Sequence, residues 1–69
     1  MISYKKLWKL LIDKDIKKGE LVNMAGLSSY VIKKLNHNEN VNAETLAKIC
    51  KALNCTFDDI MEVVDDRQI

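Results

Sequence analysis

Sixty-nine residues can build one hydrophobic core and no second one, which excludes a multidomain enzyme. With 48% hydrophobic and 30% charged residues at regular spacing, the composition is that of a folded domain rather than a disordered tail. The net charge of +1 hides a division along the chain: residues 1–34 sum to +5 and residues 35–69 to −4, so a nucleic-acid surface is to be sought in the first half.

The apolar periodicity predicts an all-α domain of five short helices without strands. Tyr4, Leu7, Trp8, Leu11 and Ile12 recur at the spacing that lines one helical face, with Ser3 placed as a cap, giving a first helix over about 4–14. Leu21, Val22, Met24 and Ala25 make a second helix over about 18–25, ended by Gly26, which adopts the left-handed conformation at least cost. Ser28 is then a candidate N-cap for a third helix over about 29–37, carried by Val31, Ile32 and Leu35. Asn42 caps a fourth over about 43–53, with Glu44 favoured in its first turn and Leu46, Ile49, Cys50 and Leu53 as its stripe.

Thr56 and Asp59 have the spacing of a capping box, and Phe57, Ile60, Met61 and Val64 predict a fifth helix over about 57–64. The chain reads as a single domain, 1–69, with its core in 4–64 and a tail, 65–69, expected to fray. Each helix is below the length that is stable alone in water, so packing must hold them together. Trp8, with Tyr4 and Leu11 on its face, reads as core.

Several chemistries find no support. No apolar run approaches the roughly 18–20 residues that span a bilayer, and the Met1-Ile2-Ser3-Tyr4-Lys5-Lys6 start lacks the order of a signal peptide, so a cytoplasmic protein is expected. Cys50, Cys55 and His37 do not make four zinc ligands, and the two cysteines read as small hydrophobes rather than a disulfide, so neither metal nor cofactor is expected. The carboxylate pairs Asp58-Asp59 and Asp65-Asp66 are explained by helix capping and solubility without catalysis.

Between Lys18 and Leu35 the residues describe two helices joined by a tight turn: Ala25 is small enough for close approach, Gly26 permits the turn, and Leu27 plugs the angle. The stretch Glu20-Leu21-Val22-Asn23-Met24-Ala25-Gly26-Leu27-Ser28, followed by Val31-Ile32-Lys33-Lys34-Leu35, resembles the Cro and phage-repressor (XRE-like) helix-turn-helix family. Glu44 to Asn54 resembles that family's fourth helix and Thr56-Phe57-Asp58-Asp59-Ile60 its fifth, so the resemblance covers nearly the whole chain and implies a compact five-helix lambda-repressor-like fold.

What the resemblance implies for function is sequence-specific DNA binding by a transcriptional regulator, a repressor or autoregulator. In that family the second helix of the motif lies in the major groove while the first crosses the backbone. Carried over by position, Ser29, Tyr30 and Lys33 would meet base edges. Phosphates would be met by Lys18, Ser28, Lys34 and the polar loop containing Asn36, Asn38, Asn40 and Asn42. Asn38 and Asn40 stand where the family often has glycine, and Asn tolerates the left-handed conformation such a turn needs.

The implied partner is a palindromic double-stranded operator bound by a homodimer, with no small-molecule ligand. By elimination, the fifth helix with Val63, Val64 and Ile69 is the dimer surface. The rival reading is a protein-interaction module of the same fold, an antitoxin or anti-repressor, using the acidic second half.

Overall fold

The computed structural model describes residues 1–64. The chain opens with a two-residue strand, β1 (Ile2–Ser3), followed by α1 (Lys5–Asp13), α2 (Lys18–Ala25), α3 (Ser29–Asn36) and α4 (Ala43–Leu53). A single 3-10 turn, Phe57–Asp59, then leads into β2 (Glu62–Val63). The first four helices fall within a residue of their sequence-based spans. No helix among the described residues is long and apolar enough to cross a membrane.

The fifth predicted helix is not an α-helix. The capping box forms, with the Thr56 N–H and hydroxyl both donating to the Asp59 carboxylate (3.0 and 3.2 Å), but it opens only the 3-10 turn. Beyond Ile60 the chain straightens and pairs antiparallel with the N-terminus, Ile2 opposite Val63 and Ser3 opposite Glu62. The Val64 N–H donates to the Met1 carbonyl at 2.8 Å. Two consecutive β-branched residues, Val63 and Val64, favour extended backbone, and β1 supplies the partner that an isolated strand lacks. The expectation of a strand-free chain fails for the same reason. The tail 65–69, with Ile69, lies outside the described residues.

The four α-helices among the described residues end the same way. Asp15, Gly26, Asn38 and Asn54 all have positive φ, between +54° and +67°. In each case the next residue donates its N–H to a carbonyl five positions back: Ile16 to Leu11, Leu27 to Val22, Glu39 to Lys34 and Cys55 to Cys50, all at 2.9 Å. These Schellman terminations satisfy carbonyls that the helix end would leave unpaired and break the helical path, so that the chain leaves in a new direction.

The N-termini are served differently. Asn42 caps α4 as expected, its Oδ1 accepting from the Glu44 N–H at 2.7 Å. Ser3 does not occupy the cap position of α1, which Tyr4 holds, although its hydroxyl accepts from the Lys5 N–H at 3.3 Å. Ser28 has the extended backbone of an N-cap, but its side chain makes no capping bond.

One wholly buried side chain from each segment meets at the centre: Leu7, Leu21, Leu35, Ile49 and Ile60. Tyr4, Leu11, Leu46, Cys50 and Leu53 complete the core, and α2 lies against α4. Ile12 departs from its expected place and is 77% exposed, because one residue beyond Leu11 the helix has turned by about 100°. Trp8 is half-buried at the edge of the core rather than within it. Both cysteines are free, and burial, with Cys55 and Asp59 nearby, pushes the Cys50 thiol up to about 11, so it stays a neutral apolar filler at physiological pH.

The two glycines carry opposite expectations. A Cβ on Gly26 meets nothing within 4 Å but must sit at φ +67°, so Gly26→Ala should destabilise by about 1 kcal/mol through backbone strain alone. Gly19, inside α2 and also open, has ordinary φ, and Gly19→Ala should stabilise by about 0.5–1 kcal/mol. Urea unfolding of the two variants checks both signs.

Candidate nucleic-acid interface

The helix-turn-helix is built as its sequence suggests. Gly26 ends α2 in the left-handed conformation, Leu27 turns back onto the core beside Ala25, and Ser28 in extended backbone launches α3. α3 buries Leu35 and half-buries Val31 and Ile32, which packs it on α2 and leaves its other side open.

That open side carries Ser29, Tyr30 and Lys33, all exposed, with Ser28 exposed just before them. None of the four makes a side-chain hydrogen bond or ion pair among the described residues. Tyr30 is 64% exposed, a large amount for an aromatic ring of a small domain. Lys34, one turn on, is half-buried, and its ammonium lies 5.0 Å from the Tyr30 ring centroid. This i, i+4 cation–π contact sets Lys34 apart from its neighbour Lys33, which stands free on the open face.

The polar residues flanking α3 are organised by α1. The Tyr4 N–H donates to Asn38 Oδ1 at 3.1 Å, and the Tyr4 hydroxyl donates to the Glu39 carbonyl at 2.9 Å. One core residue thus holds the start of the loop 37–42 from two directions, and burial raises the Tyr4 phenol above its ordinary value so that it remains a donor. Asn38 does two structural jobs: it supplies the left-handed residue after α3 and accepts the Tyr4 N–H. Asn42 is likewise engaged as the α4 cap. In both amides the carbonyl oxygen is used internally, and the NH2 keeps its two donors. Asn40 and His37 are exposed.

Lys18 and Asn36, distant in sequence, are brought together: the Lys18 ammonium donates to Asn36 Oδ1 at 2.7 Å. It also lies over the Trp8 ring, 4.2 Å from the centroid. Trp8 is the residue whose position sequence reasoning missed. Its helical phase points to the core, but no periodicity reveals that one ring face borders the N-terminus of α2. The acidic turn containing Asp58 and Asp59 packs on α1 and α4, where Lys6 reaches the Asp58 carbonyl at 3.1 Å and its carboxylate at 3.8 Å. Lys6 therefore belongs to the acidic region rather than to the open basic face.

A family model described as the Cro/C1-type HTH DNA-binding domain matches residues 6–66. Among solved structures, the chain is similar to the crystal structure of the transcriptional regulator VanUg. The two are 52% identical with a TM-score of 0.90, over 94% of this chain and 87% of that one. No curated protein matches.

The double role of Asn38 is separable by mutation. Asn38→Ala removes both the left-handed tolerance and the bond to Tyr4 and should destabilise by about 1–2 kcal/mol. Asn38→Gly restores the first without the second and should destabilise less. Chemical unfolding of the two variants, compared at one temperature, checks the order.

Proposed function

The chain belongs to the Cro/C1-type helix-turn-helix DNA-binding domain family, and on that premise we propose that it is a sequence-specific DNA-binding transcriptional regulator, a cytoplasmic repressor or autoregulator. It acts by occupying the major groove with α3 and performs no chemistry. The observation that carries this reading is the open face of α3, where Ser29, Tyr30 and Lys33 are exposed and make no side-chain hydrogen bond or ion pair among the described residues.

In this arrangement Ser29 and Lys33 read base edges, Lys33 reaching the guanine acceptors O6 and N7, and Tyr30 contacts a thymine methyl or the backbone beside it. Lys34, drawn back over Tyr30, sits better for a phosphate than for a base. Lys18 and Asn36 form one phosphate-binding pair, and Asn38, Asn40 and Asn42 present amide donors along the adjoining loop. Ser28, released from capping, offers its hydroxyl at the N-terminus of α3, where the helix dipole favours an anion.

A single domain of this size covers a short site, so the operator is a palindrome bound by a homodimer, with half-sites about 34 Å apart. The 3-10 turn and β2 supply the dimer surface. Val63 is 80% exposed there, beside a shallow apolar groove that includes Ile2, Phe57 and Met61. Val64 is half-buried.

Binding to a random-sequence duplex should weaken steeply with salt, because lysines displace counterions from phosphates. Lys34→Ala should weaken binding to all sequences alike and lower the salt slope by about one, whereas Lys33→Ala should change sequence preference at one operator position. Selection of binding sites from a random library, followed by salt titration of each variant, makes the comparison. Equal effects of the two substitutions would remove the assigned roles, and a wild-type protein that ignores duplex DNA would point to the protein-interaction module instead.

A further inference from the structure

Trp8 lies in α1, outside the helix-turn-helix, yet its indole supports the ammonium of Lys18 at the start of α2. Asn36, at the end of α3, accepts a hydrogen bond from the same ammonium. Three helices therefore converge on one surface cation. An exposed lysine ordinarily spreads its charge over many rotamers and must surrender about 2 kcal/mol of side-chain entropy to hold one position. Here the ring face and the amide oxygen restrict it before any ligand arrives.

An ammonium has three donors and no acceptor. One is committed to Asn36, leaving hydrogens for an oxyanion on the outer side. The cation meets the indole quadrupole and a neutral amide and has no carboxylate partner among the described residues, unlike Lys6, which faces the Asp58 carboxylate. Beside this cation opens a shallow cleft lined by Ser3, Lys5, Trp8, Asn36 and Asn38, so a second ammonium and two amides border the same place.

We propose that Trp8 is a positioning residue for DNA binding: with Asn36 it holds the Lys18 ammonium in advance as the seat of one backbone phosphodiester. This rests on the DNA-binding reading given above. It assigns a function to a side chain of α1, while Lys18 makes the contact itself.

The test has an arm without DNA and an arm with it. In the free protein, the Lys18 ε-methylene protons should resonate upfield of those of the other lysines, shifted by the Trp8 ring, and should return to the ordinary position in Trp8→Leu. Absence of that shift in the wild type overturns the proposal. With a random-sequence duplex, Lys18→Met should lower the salt slope by about one. Trp8→Leu should weaken binding about two- to tenfold, as expected for losing one pre-ordered side chain, with the slope unchanged.

In the Lys18→Met background, Trp8→Leu should have no further effect, and Trp8→Phe should restore most of the affinity in the wild-type background. Asn36→Ala, at an exposed position where folding is not at stake, should behave as Trp8→Leu does. A Trp8→Leu or Asn36→Ala loss that persists in full without Lys18 means that the residue acts by packing or by a contact of its own rather than through the Lys18 ammonium, and overturns the proposal. If the wild type shows the ring shift but no salt-dependent duplex binding, the DNA reading itself has failed and the phosphodiester seat falls with it.

Discussion

Four helices of eight to eleven residues must meet in one core, and none is long enough to be stable alone, so the chain has to reverse sharply after each. The constraint on which everything else depends is the left-handed residue that makes each reversal. Asp15, Gly26, Asn38 and Asn54 place the following residue where its N–H closes the helix end, and the chain leaves at once in a new direction. After α2, α1 and α4 that residue, Leu27, Ile16 or Cys55, is apolar and packs on the core. After α3 it is Glu39, whose carbonyl is held by the Tyr4 hydroxyl. Only one of the four is glycine, so three terminations accept the smaller left-handed penalty of Asn or Asp.

From those reversals the candidate interface follows. Gly26 sets the angle at which α3 leaves α2 and so turns Ser29, Tyr30 and Lys33 outward. Asn38 fixes where α3 stops and where the polar loop begins, and through Tyr4 it ties that loop to α1. The same α1 carries Trp8 to the start of α2, where the Lys18 ammonium is held against Asn36. The basic face is thus assembled by three helices, with Lys18 at the start of α2 and Lys33 and Lys34 on α3. The acidic turn sits on α1 and α4, which leaves the opposite sign of charge engaged with Lys6.

Much of this was legible in the sequence because local chemistry decided it. Apolar periodicity located four helices, Asn42 marked the cap of α4 and the Thr56–Asp59 pair the start of the 3-10 turn, and Ala25-Gly26-Leu27 described the turn between α2 and α3. Asn38 is a residue type able to replace glycine in the left-handed conformation, and the structure gives it φ +54°. The larger failures involve partners far away in the chain. Val63 and Val64 follow an apolar pattern that also fits a helix, and only the arrival of Ile2 and Ser3 makes the strand. Ser28 has a capping residue's identity and backbone but leaves its hydroxyl free. Trp8 has a core residue's phase, and its surface contact depends on Lys18 and Asn36, ten and twenty-eight positions on.

The surface proposed to meet DNA is the open face of α3, with the cation at the start of α2 and the loop after α3. Backbone amide NMR shifts during titration with a random-sequence duplex test it most directly. The largest changes are expected at Lys18, from Ser28 to Lys34, and in the loop 36–42, all reversed by added salt. Changes absent from Ser29 to Lys34 while the duplex is bound would contradict it.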